Sequence, residues 1–80
     1  MANRKIEYSI QVSYPAEEYP RLDKFYEQLV GRRSVSSGLG FGRRDISWYT
    51  KSKAVCKRLV NKLKKNLQSG VDVDSTEERI

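Results

Sequence analysis

The sequence predicts a single α+β domain with the element order β-α-β-β-α-β, and three observations carry that expectation. Apolar and polar residues alternate strictly from Ile6 to Tyr14, apolar residues recur at helical spacing in two later segments, and glycines punctuate the stretch between those segments. At 80 residues the chain allows one domain.

The first strand is the plainest element. Ile6, Tyr8, Ile10 and Val12 alternate with Lys5, Glu7, Ser9, Gln11 and Ser13, so one face is buried and the other wet. Pro15 ends it, because proline has no N–H to give the ladder. The first helix is expected at about Glu18 to Val30. Leu22, Phe25, Tyr26, Leu29 and Val30 line one face, and Glu17 and Glu18 sit near the positive end of the helix dipole. Pro20 is tolerated in a first turn, and Gly31 suits a left-handed C-cap.

A hairpin should follow. Val35, Ser37, Leu39 and Phe41 share one parity, and Ile46 and Trp48 mark the returning strand, with the turn expected near Gly42–Arg43. The second helix is expected from about Lys51 to Leu67, capped by Thr50 or Ser52, with Val55, Cys56, Leu59, Val60, Leu63 and Leu67 inward. Val71 and Val73 suggest a short last strand. The domain is thus read as residues 1–73, and the polar, acidic residues 74–80 as a tail that frays. Two such helices on one side of a four-stranded antiparallel sheet make the ferredoxin-like split βαβ, whose right-handed crossovers fix a 4-1-3-2 strand order.

Chemistry is constrained by what is missing. The chain has no histidine and one cysteine, Cys56, so it holds neither a Ser-His-Asp or Cys-His nucleophile system nor a cysteine zinc site. Asp72, Asp74, Glu77 and Glu78 lack the loop pattern of a hard-cation site, so no metal and no cofactor is expected. No apolar run approaches membrane length and no export signal is visible, which points to a cytoplasmic, non-enzymatic binding module.

The net charge of +6 conceals a strong local excess. Residues 32–65 hold eleven basic groups and one acid, Asp45, whereas the segments on either side are net acidic. Lys53, Lys57, Arg58, Lys62, Lys64 and Lys65 all fall away from the apolar face of the second helix. No acid on that helix pairs with them, and the Lys53–Lys57 and Arg58–Lys62 repulsions, about 0.2–0.5 kcal/mol each, are left uncompensated. Such a helix suits an anionic partner. Arg32 and Arg33 are expected to widen the basic surface at one end of the helix, and Arg43 and Arg44 at the other.

Two partners fit: nucleic acid, DNA or RNA, engaged through its backbone, or an acidic protein surface. In the second case the chain would be a small inhibitor or adaptor of the kind phages and mobile elements use to block a host or defence complex. A dimer is also compatible. Gly38 and Gly40 would leave a side-chain-free strip on an edge strand, where with Tyr49 a partner strand or a nucleic-acid backbone could approach. Base stacking on the open sheet face has only Tyr49 to offer, against Glu7, Ser9, Gln11, Ser47 and Asp72. The same Gly-rich run lacks the Lys-Ser/Thr ending of a phosphate-binding loop.

The segment Lys51-Ser52-Lys53-Ala54-Val55-Cys56-Lys57-Arg58-Leu59 resembles the start of the last helix in double-stranded RNA-binding domains. That resemblance implies lysines at a helix N-terminus placed over phosphates. It covers this segment alone, since the family's α-β-β-β-α order and its loop histidine are not matched here.

Overall fold

The computed structural model describes residues 6–79. Strand β1 (Ile6–Pro15) leads through a single 3-10 turn (Ala16–Glu18) into helix α1 (Arg21–Val30). Strands β2 (Ser36–Gly40) and β3 (Arg43–Thr50) form the hairpin, followed by helix α2 (Lys53–Lys64) and strand β4 (Asp72–Arg79). The four strands make one open sheet in the order β2-β3-β1-β4, which read from the other edge is 4-1-3-2. All three strand pairings are antiparallel. The architecture is therefore α+β, compatible with a ferredoxin-like arrangement. No helix among the described residues is long and apolar enough to cross a membrane.

The alternation of β1 decides where the core lies. Ile10, Val12 and Tyr14 are fully buried together with Ile46 and Trp48 of the neighbouring β3. Leu22 and Tyr26 of α1, Cys56 and Leu63 of α2, and Val71 ahead of β4 complete this cluster, so both helices cover the same sheet face. Burying a large apolar side chain contributes about 1.5–3 kcal/mol, so this one layer carries the fold. The polar atoms drawn into it are satisfied. Trp48 Nε1 donates to the Arg32 carbonyl at 3.0 Å, and the Tyr26 hydroxyl donates to the Asn66 carbonyl at 3.1 Å.

Four boundaries differ from the sequence expectation. Helix α1 begins at Arg21, because the ring of Pro20 holds Tyr19 in extended backbone (φ −77°, ψ 139°) and blocks a helix through it. Helix α2 is shorter at both ends. Ser52, rather than Thr50, caps it by accepting the Val55 N–H at 3.2 Å, and the chain leaves the helix after Lys64, so Leu67 stays half exposed. Strand β4 does not fray at Asp74. It pairs with β1 as far as Ile6 opposite Arg79, because β1 offers an otherwise open ladder along its whole length. Only Ile80 of that expected tail lies outside the described residues.

The hairpin turn is the fourth difference. Gly40 pairs with Arg43, so the two turn residues are Phe41 and Gly42, with φ of 53° and 73°. Two positive φ values define the tight hairpin turn whose twist matches the strands, and phenylalanine is a poor occupant of its first position. Phe41 is also fully exposed. Phe41→Asn is therefore expected to raise stability by about 0.5–1 kcal/mol, read as an increased denaturation midpoint.

Candidate nucleic-acid interface

Helix α2 presents the basic surface. Cys56 and Leu63 face inward, with Leu59 and Val60 packed against the core, and this fixes the direction of every other side chain on the helix. Lys53, Lys57, Arg58, Lys62 and Lys64 are exposed, as are Lys51 and Lys65 at the two ends. At 100° per residue the cations fall into two rows. Lys53, Lys57 and Lys64 flank the apolar stripe on one side, Arg58 and Lys62 on the other, and Ala54 and Asn61 occupy the low crest between. None of these cations forms a salt bridge among the described residues. Lys53 and Lys57 also line a groove between α2 and β4 together with Tyr8, Cys56 and the acidic Glu77. Burial raises the Cys56 thiol above its ordinary pKa, so it is a packing residue with little thiolate character.

Arg32 and Arg33 are exposed beyond the C-terminus of α1. The Arg32 guanidinium donates to the Tyr49 carbonyl at 2.6 Å, which ties it beside the end of β3, where the chain turns into α2. Glu27 holds the same loop by accepting the Ser34 N–H at 2.8 Å.

Arg43 and Arg44 do not extend this surface. They are consecutive strand residues, so they point to opposite sheet faces. Arg43 lies on the open face, where it donates to Ser13 Oγ at 2.9 Å and to the Gly70 carbonyl at 2.9 Å, with an ion pair to Asp72 at 3.2 Å. Gly70 (φ +77°) leads into β4 so close to Pro15 that an added Cβ would stand 3.1 Å from the proline ring.

Arg44 shares the parity of Ile46 and Trp48 and is drawn under the helices. There it meets Asp23, a charged residue only 8% exposed. The Arg44 Nε and Nη2 atoms donate to the Asp23 carboxylate at 3.1 and 2.8 Å, the Tyr14 hydroxyl donates to the same carboxylate, and the Tyr19 ring covers the guanidinium at 4.4 Å. Desolvation and the adjacent carboxylate push the Tyr14 hydroxyl far above its usual pKa, and the hydrogen bonds that Arg44 donates to Asp23 hold the guanidinium more firmly protonated still. Arg44 is thus a structural residue. Its partner Asp23 escaped the sequence reading, although it sits on the inward stripe between Leu22 and Tyr26.

The expected edge contact is also divided. Gly38 and Gly40 do lie on the edge strand β2, paired with Asp45 and Arg43. Tyr49 lies further along β3, beyond Ser47, where β2 has already ended, so the three do not form one patch. Asp45 has no ion-pair partner among the described residues. It belongs to a group that the linear sequence hides. Among the described residues, the strand registers place Glu7, Asp45, Asp72, Asp74 and Glu78 on the open face with Arg43 the one base beside them, and Glu7 directly faces Glu78. The domain is therefore basic on its helical side and acidic on its open sheet.

No cluster of metal-ligating side chains occurs among the described residues. Comparison with family models, with curated proteins and with solved structures returns no match to this chain.

Proposed function

We propose that this ferredoxin-like domain is a non-enzymatic binding module that engages the backbone of nucleic acid through α2. The observation that carries the reading is the two rows of cations on one helix, Lys53, Lys57 and Lys64 against Arg58 and Lys62, with no ion-pair partner among the described residues. Folding alone gains nothing from such a helix, because its like charges repel. Phosphates spaced along a backbone would neutralise both rows, with Lys51, Lys65, Arg32 and Arg33 widening the contact. Arg43 and Arg44 are left out of this footprint. The acidic open face disfavours a second nucleic-acid contact there, so recognition would rest on charge and shape rather than on stacked bases.

The test is a salt titration of binding to mixed-sequence duplex DNA and duplex RNA. Five to seven phosphate contacts predict log affinity falling against log salt with a slope of about −4 to −6. A slope near zero, or no binding at low salt, would overturn the reading. The same cations would then be assigned to an acidic protein surface, in the manner of a small inhibitor or adaptor.

A further inference from the structure

The sheet has two free edges, and they are built differently. The β4 edge carries Asp72, Asp74, Glu77 and Glu78, charges of the kind that keep strands from adding to an edge. The β2 edge, Ser-Ser-Gly-Leu-Gly, carries no charge, no proline, and no buried residue. Three of the six exposed large hydrophobic side chains in the described residues lie on it or beside it: Val35, Leu39 and Phe41.

The turn determines which backbone groups are free. Gly40 and Arg43 close a two-residue hairpin, so Gly40, Gly38 and Ser36 spend their hydrogen bonds on β3. Ser37 and Leu39 therefore turn their N–H and C=O groups outward, with no partner on that side among the described residues.

We propose that β2 pairs antiparallel with β2 of a second copy of this chain, about a two-fold axis at Gly38, making one continuous eight-stranded sheet. Pairing strands by this register sets Ser37 of each copy opposite Leu39 of the other, so all four outward-facing residues exchange hydrogen bonds. Shifting the axis to Ser37 or Leu39 leaves some of them unpaired. The Leu39 side chains become diagonal neighbours on the helical face, with Val35 and Phe41 flanking the seam. Gly38 and Gly40 leave the open-face side of the seam without bulk. A partner strand bearing charge would find none to match along β2, whereas a second copy brings none. The uncharged seam also lets two molecules of net charge +6 meet without opposing charges across the paired strands. The axis runs perpendicular to the sheet, so both helical layers lie on the same side. This inference is independent of what α2 binds.

Two measurements test it. The axis sets the two Gly38 residues opposite each other as a pair not joined by hydrogen bonds, at a Cα separation of about 4.5 Å, which is within disulfide reach. An added Cβ at Gly38 or at Gly40 meets nothing within 4 Å, so cysteine is accommodated at either position. Under mild oxidation, Gly38→Cys should give a covalent dimer and Gly40→Cys should remain largely monomeric. Equal cross-linking of the two would overturn the register. Sedimentation of the unmodified protein from about 1 µM to about 1 mM should show a monomer–dimer equilibrium, as expected for a seam at the small end of specific interfaces. The L39K/F41N double variant should be monomeric across that range with an unchanged circular dichroism spectrum. A wild-type protein that stays monomeric throughout would overturn the proposal, as would a double variant that dimerises equally well.

Discussion

Arg44→Ala is expected to cost about 3–5 kcal/mol of folding free energy, because it leaves the Asp23 carboxylate buried without its cation. A domain of this size draws roughly 3–5 kcal/mol from a single core, so the variant should be largely unfolded at 25 °C. The measurement is chemical denaturation followed by the fluorescence of Trp48, which is buried in the same layer. The double variant Asp23→Leu with Arg44→Met separates pairing from packing. Replacing both charges with apolar groups of similar volume should recover most of the lost stability. If Arg44→Ala cost less than about 1 kcal/mol, the pair would be behaving like an exposed ion pair, and the structural role given to Arg44 would fail.

The second large effect belongs to the exposed face of α2. Replacing Lys57, Arg58, Lys64 and Lys65 together with glutamine should lower nucleic-acid affinity roughly 10³-fold near 0.1 M salt and reduce the salt slope by about three to four units. Stability should stay level or rise slightly, since all four side chains are exposed and the substitutions relieve the Lys53–Lys57 and Arg58–Lys62 repulsions. A folded quadruple variant that binds as tightly as the parent would remove α2 from the interface. An Arg43→Gln variant makes a useful contrast, because Arg43 is engaged on the far face of the sheet and its loss should leave binding nearly unchanged.

These two arginines show where a linear reading stops. Strand β1 and the inward stripes of both helices are legible because periodicity reports directly on burial. The role of α2 as the most basic element is legible for the same reason: a stripe of apolar residues tells where the lysines must point. Charge alone groups Arg43 with Arg44, although their parity separates them. Arg44 aligns with Ile46 and Trp48, and that alignment, set against Asp23 on the apolar stripe of α1, is a signal of an internal ion pair. The extent of β4 was hidden because its inward residues beyond Val73 are Ser75 and Glu77, at an edge the helices only partly cover. Parity alone puts Glu7 and Asp72 on the open face, but the strand registers are needed to bring Asp45, Asp74 and Glu78 beside them, since the five carboxylates come from three separate segments.

The opposition of a basic helix layer and an acidic sheet has a kinetic consequence. In the field of a polyanion the domain experiences a torque as well as a net pull, since its two faces are drawn in opposite directions. It would be turned before contact, so that α2 arrives first and the sheet trails toward solvent. Fewer encounters would then be wasted on the wrong orientation, and the gain in association rate would fade once added salt shortens the screening length to about 3 Å, well below the width of the domain.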